Sequence, residues 1–218
     1  MAEPLQSYAA VLFDFDGTLA DSYSAIAASV NHVRAQRGLA ELSLDAVKRY
    51  VGRGADYLLT HTVPGGDLEA DLACYRAHHP SVMMTMTEFL PGVASLLPAL
   101  HRVGKKIGLC SNKPRIFSQE LLQYLKVAAL FDVVLGPEDV ASPKPAPDML
   151  LHAIDRLALP KDRVLYVGDM VVDIQTARSA GVPVWAVATG SEDRANLVDA
   201  KPDRLLASLE EMLAEVGS

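Results

Sequence analysis

Four short stretches of the chain carry residues whose types and spacing could do chemistry. Asp14-Phe15-Asp16-Gly17-Thr18 sets two carboxylates two residues apart beside a glycine and a hydroxyl. Ser111-Asn112-Lys113 offers a hydroxyl, an amide and an amine. Ser142-Pro143-Lys144-Pro145 presents a lysine between prolines, which fix φ and leave the loop little entropy to lose in placing it. Gly168-Asp169 is followed four residues later by Asp173. Carboxylates gathered at one place repel each other and resist ionisation. A hard divalent cation resolves that conflict, and Mg²⁺ takes oxygen ligands from one or two carboxylates plus a substrate phosphate. The lysine and the hydroxyl would then face that phosphate.

The four stretches can meet only if the fold brings them to one edge. Ala9–Phe13, Lys106–Cys110, Val164–Val167 and Val182–Val187 are nearly continuous apolar runs, as buried parallel strands are, and Asp132–Leu135 is a weaker fifth. Helical periodicity separates most of them: Val93, Leu96, Leu97 and Leu100 share one face, Leu150, Ile154 and Leu157 another, and Asp173–Ala180 stops at Gly181. Leu205–Val216 reads as a terminal helix. This alternation predicts an α/β fold, a doubly wound, Rossmann-like parallel sheet. Ligands of such sheets bind at the carboxyl ends of the strands, where each of the four stretches lies.

Residues 21–88 break the alternation. Ile26, Val30 and Val33 mark one amphipathic helix. Ser43 caps a second that carries Leu44, Val47 and Val51, and Leu68, Leu72 and Tyr75 mark another. The expected division is therefore an α/β catalytic core at 1–20 and 89–218 with an inserted all-helical unit at 21–88, resumed near Pro91-Gly92. An insert directly after the first strand would sit over the binding edge as a lid. Within it, Arg53 is a candidate to reach a substrate carboxylate or phosphate, which arginine suits geometrically. His78 and His79, adjacent on a helix and so facing different ways, read as surface residues.

The chain has 218 residues, 50% of them hydrophobic and 22% charged, enough for one sizeable core with a smaller accessory unit. Its net charge of -7 argues against nucleic acid or an anionic membrane as the main partner, while leaving room for a locally positive site. Two cysteines, Cys74 and Cys110, lack metal-ligand spacing, and the longest apolar runs fall far short of a membrane span. Met1 to Tyr8 carries no signal-like run, so a cytoplasmic location is expected. The sequence carries no signal on oligomeric state.

Asp14-Phe15-Asp16-Gly17-Thr18-Leu19, Ser111, Lys144 and Gly168-Asp169 with Asp173 match, in order, the four sequence motifs of the haloacid dehalogenase superfamily, and the resemblance covers essentially the whole chain. The helical insert resembles the subclass with an α-helical cap. Ser111-Asn112-Lys113-Pro114 and Val51-Gly52-Arg53-Gly54-Ala55 are similar to segments of its phosphoglycolate phosphatases. Met170 and Val172 depart from relatives that carry polar residues, often Ser and Asn, there. The resemblance implies a phosphomonoester hydrolase acting on a small phosphorylated metabolite, 2-phosphoglycolate first among them. Asp14 would be the nucleophile and Asp16 the acid/base. Mg²⁺ would be held by Asp14, Asp169 and the Asp16 main-chain carbonyl, with Asp173 acting through water or orienting a partner. Lys144 would neutralise Asp14 and the phosphate. Ser111 would donate to a phosphate oxygen, with Gly17, Thr18 and Asn112 binding beside it. A β-phosphoglucomutase-like isomerase shares the motifs and the cap, and a non-catalytic phosphometabolite-binding protein is a third reading. Asp16 disfavours dehalogenases and phosphonate hydrolases of the superfamily, which lack an acid there.

Overall fold

A computed structural model describes residues 3–216; the outermost positions of the expected core, 1–2 and 217–218, lie outside the described residues. In chain order the elements are β1 (Ala10–Phe13), β2 (Ala20–Asp21), α1 (Tyr23–Gln36), α2 (Leu44–Lys48), α3 (Ala55–Thr62), α4 (Leu68–Met83), β3 (Glu88–Phe89), α5 (Val93–Arg102) and β4 (Lys106–Cys110). They continue with α6 (Arg115–Tyr124), β5 (Val133–Leu135), α7 (Asp148–Leu157), β6 (Val164–Gly168), α8 (Val171–Ala180), β7 (Val184–Val187), α9 (Arg194–Asp199), β8 (Arg204–Leu206) and α10 (Leu209–Glu215).

Among the described residues six strands form one parallel sheet in the order β5-β4-β1-β6-β7-β8. The inner strands β1, β6 and β7 are fully buried because both faces are covered, and the period of two sorts their side chains between the faces. Val11 and Phe13 of β1 join Leu96, Leu97 and Leu100 of α5 and Met212 of α10 on one face. Ala10 and Leu12 join Leu150 and Ile154 of α7 and Ile174 and Ala177 of α8 on the other. Strand β1 lies between β4 and β6, so the order reverses at its carboxyl end. That point is the crevice such sheets use for ligands, and Asp14 is the next residue.

Helices α1 to α4 pack on one another through a separate cluster that includes Ile26, Val30, Val33, Val47, Leu58, Leu59 and Tyr75. The chain enters and leaves this group through a two-residue antiparallel ribbon, with Ala20 opposite Phe89 and Asp21 opposite Glu88.

Three local expectations are corrected. The last core strand begins at Val184 rather than Val182, because the Val182 N–H turns back to Ala177 O at 2.9 Å to close α8 around Gly181 at φ 71. The final segment is not one helix from Leu205. Arg204–Leu206 adds an edge strand to β7, and the helix starts at Leu209, capped by Ser208 Oγ on the Glu210 N–H at 3.3 Å. A short apolar run fits either element, and only the open edge of β7 selects the strand. His79 is not a surface residue; it is 1% exposed.

Candidate active site

Strand ends deliver the charged groups. Asp14 follows β1, Ser111 follows β4, Asp169 follows β6, and Asp173 sits in the first turn of α8. All four are buried, as is Lys144 from the loop before α7. The Lys144 ammonium spends its three N–H donors on Asp14 Oδ2 at 3.0 Å, Asp173 Oδ1 at 2.7 Å and the Tyr166 hydroxyl at 3.0 Å. Burial alone would pull its pKa down; Asp14 and Asp173 reverse that and hold it above the ordinary lysine value. Asp173 Oδ2 accepts the Met170 N–H at 3.0 Å, so this carboxylate both caps α8 and aims the lysine. Gly168 is obligatory here, because a Cβ would lie 2.3 Å from the Asp173 carboxyl carbon.

One oxygen of Asp169 accepts the Thr18 hydroxyl at 2.7 Å. The other, Oδ2, has no partner, and neither does Asp14 Oδ1, although both are buried. Oxygens of Asp14, Asp169 and Asp173 lie within 4.8 Å of one another. Burial, partly offset by Lys144, pushes the Asp14 pKa up to about 6, and burial with the neighbouring Asp173 and Asp14 charges raises that of Asp169. Two orphaned carboxylate oxygens, hard and anionic, fit a Mg²⁺ ion between Asp14 and Asp169. Asp173, occupied by Lys144, Tyr166 and Met170, serves that pair from behind rather than through a free oxygen. Glycines make room: a Cβ on Gly190 would stand 1.6 Å from Asp169 Oδ2, and one on Gly17, at φ 84, would stand 2.5 Å from it.

Adding Mg²⁺ is therefore expected to raise the melting temperature by several degrees, with about 2.7 kcal/mol gained at a hundred times Kd. Asp169→Asn should abolish most of that gain. The sign with pH follows from Asp14. Its folded pKa, about 6, exceeds its ordinary 3.8, so without metal its contribution to stability is lost as pH rises from about 4 to about 6. Metal binding must displace that proton, so the Mg²⁺-induced increment in differential scanning fluorimetry should be larger at pH 7.5 than at pH 5. An increment independent of both pH and Asp169 would remove the ion from this site.

Asp16 points elsewhere. Its carboxylate pairs with Lys113 Nζ at 3.0 and 3.3 Å and accepts a short hydrogen bond from Ser22. It faces a pocket whose core side is Asp14, Ser111 and Pro114, roofed by Ile26, Val51, Leu58 and Tyr75 of the insert. The Ser111 hydroxyl lies beside the Asp14 carboxylate, partly offsetting the rise that burial gives its pKa, and accepts the Lys113 N–H at 3.3 Å. Asn112 spends its side chain on structure. Its Oδ1 accepts the Lys144 N–H at 3.1 Å, and its Nδ2 donates to Lys144 O at 3.1 Å and to Gly52 O at 3.2 Å. It thus ties the lysine loop to the insert, and the Thr18 hydroxyl likewise serves Asp169 rather than a substrate.

Arg53 is exposed and does not line the pocket of Asp14; its guanidinium lies 5.1 Å from the Tyr57 ring, in a surface hollow shared with Arg49 and Glu192. Gly52 and Gly54 on either side line the pocket instead. Arg53→Ala is expected to change kcat/KM for a small phosphate ester by no more than about twofold, a surface-scale effect. A tenfold selective loss in steady-state assays would place the arginine at the substrate.

Lys113, Tyr166 and His79 were not among the expected site residues. Lys113 follows Asn112 directly, so its position was visible and only its partner was not. Tyr166 alternates with Leu165 and Val167 within β6, a period-two hint of a different face. His79 shares a helix with His78, and nothing local separates them.

The profile of the haloacid dehalogenase-like hydrolase family matches residues 11–187. A phosphoglycolate phosphatase of Salmonella typhimurium strain LT2 is 31% identical over 99% of this chain and 95% of its own. One of Rhodospirillum rubrum is 35% identical over 83% and 80%. Among solved structures, a protein of Bacteroides fragilis described as haloacid dehalogenase-like superposes with a TM-score of 0.89 at 32% identity, over 94% of this chain and 99% of that one. A Streptococcus pneumoniae hydrolase of 22% identity gives 0.85 over 96% and 99%, a likeness of fold.

Proposed function

The chain belongs to the haloacid dehalogenase-like hydrolases, and on that premise we propose that it is a cytoplasmic Mg²⁺-dependent phosphomonoesterase working through an aspartyl-phosphate on Asp14. The observation that carries this is the pair of unpartnered, buried oxygens on Asp14 and Asp169 beside the fully buried Lys144 ammonium. When bound between them, Mg²⁺ would supply charge stabilisation to a transferring phosphoryl group.

The chain's own residues do the rest. Lys144 holds Asp14 in one orientation, so that its carboxylate attacks phosphorus in line while the bond to the leaving oxygen breaks. Asp16 passes to the departing alkoxide a proton drawn from its Lys113 partner, so the paired carboxylate acts as the acid. It then takes a proton from the water that attacks the aspartyl-phosphate, releasing phosphate and restoring Asp14. Ser111 supplies a hydroxyl donor beside Asp14. Residues 21–88 act as the cap: closing, they bring Ile26, Val51 and Tyr75 over the leaving group and keep water from the first step. The substrate is a small phosphate ester, and 2-phosphoglycolate, which gives the Salmonella and Rhodospirillum relatives their name, is the first one to assay. The test is phosphate release from p-nitrophenyl phosphate and 2-phosphoglycolate with and without Mg²⁺, with acid-quench trapping of labelled protein. Release that ignores the metal, or label that persists in Asp14→Asn, would end this reading.

A further inference from the structure

His79 of α4 lines the same pocket as Asp14 and Asp16. It is 1% exposed, and its Nε2 is a buried polar atom without a partner. The ring is fixed, stacked on Tyr75 at 5.1 Å and 15° and tilted against Phe117 at 5.2 Å. Its other nitrogen, Nδ1, lies 3.0 Å from Ser29 Oγ. Ser29 has already given its one proton to Ala25 O, one turn back in α1 at 3.0 Å. Toward the ring, Ser29 Oγ can only accept, so the proton of the neutral imidazole sits on Nδ1. Nδ1 of His78, 3.2 Å from the same oxygen, fills its second lone pair on the same terms. His79 Nε2 is left with a lone pair, and burial together with the nearby Lys113 charge holds the ring neutral, its pKa near 3.

A buried acceptor without a donor costs free energy until something supplies one. Lys113, which lines the same pocket, is paired with Asp16, and Arg53 is exposed and does not line it. A leaving group with a carboxylate would set negative charge against a lone pair, whereas a hydroxyl would complete it. We infer that His79 is a specificity-determining residue whose Nε2 accepts a hydrogen bond from the leaving group, selecting phosphate esters of short, uncharged, hydroxyl-bearing alcohols over esters of hydroxy acids. This rests on the phosphomonoesterase reading and narrows its substrate away from 2-phosphoglycolate to hydroxyl-bearing esters.

The experiment compares glycerol 1-phosphate, propyl phosphate and 2-phosphoglycolate as substrates of the full chain with Mg²⁺, using p-nitrophenyl phosphate as a control for phosphatase chemistry. The parent protein is expected to favour glycerol 1-phosphate over each of the other two by at least about tenfold in kcat/KM, the scale of one satisfied buried acceptor. In His79→Leu the glycerol-to-propyl ratio should fall to near one, and His79→Gln, whose amide oxygen can accept, should restore part of it. Independently of substrate and of variant folding, ¹⁵N spectra of the parent protein should show Nε2 of His79 unprotonated. Preference for 2-phosphoglycolate, an unchanged ratio in His79→Leu, or a protonated Nε2 would overturn the inference. Failure of the parent protein on p-nitrophenyl phosphate would instead overturn the phosphatase reading, and the ring-nitrogen measurement would still stand.

Discussion

An Asp14→Asn protein is expected to release phosphate from p-nitrophenyl phosphate at least about 10⁴-fold more slowly than the parent chain, the scale of losing a nucleophile. The amide keeps the shape of the carboxylate, so Lys144 retains Asp173 and Tyr166 and the fold should persist. The same change should move stability in the opposite direction. Burial lifts the Asp14 pKa to about 6, so at neutral pH the ionised group opposes folding when no metal is present. Metal-free Asp14→Asn is therefore expected to melt above the metal-free parent and to lose most of the Mg²⁺-induced rise. Calorimetry and a phosphate-release assay on the same preparations test both halves. Activity above about a hundredth of the parent's would exclude Asp14 as the attacking group.

Lys144→Met should carry the largest stability loss. The methionine fills similar volume but leaves Asp14 and Asp173 buried without their shared cation. Breaking one side of such a pair costs about 3–5 kcal/mol. For a chain of this length that corresponds to a fall of about 10 °C in melting temperature. Because protonation removes the uncompensated charge, the deficit should shrink as pH is lowered from 8 to 5 in chemical-denaturation experiments, and millimolar Mg²⁺ should recover part of it. Turnover should drop as well, by about 10²–10³-fold, since the lysine both holds the nucleophile and faces the phosphoryl charge. A variant that melts with the parent at pH 8 would show that the buried cluster is not held by this ammonium.

These two outcomes depend on an arrangement that is a trade between stability and reactivity. Three aspartates, among 218 residues, are buried where carboxylates are least welcome, and one lysine compensates them incompletely. The remaining negative charge is what a divalent ion would neutralise, which is how a site can be costly when empty and favourable when loaded. Glycines at positions 17, 168 and 190 permit the crowding, because any side chain there would occupy space that the carboxylates already fill. Met170 shows the same closeness between the sheet end and the helical insert: a Cβ on Gly52 would lie 2.1 Å from its sulfur. Met170 thus packs under the Gly52 loop of the helical insert.

The amino-acid order by itself settled which residues stand at the strand ends. A buried parallel strand must be apolar on both faces, so its end is where polarity returns, and Asp14, Ser111 and Asp169 are those first polar residues. The helical insert was legible for a related reason, since a period near 3.6 cannot be drawn as a strand. Partnership within the site belonged to the tertiary structure. Asp16 and Lys113 are 97 residues apart, Thr18 and Asp169 are 151, and nothing local tells Asn112 to clamp Lys144 rather than a substrate. Likewise, neighbouring side chains on one helix differ by about 100° in direction. Only the docking of α4 against α1 turns His79 into the pocket, and only the path of the Gly52–Gly54 loop turns Arg53 out of it.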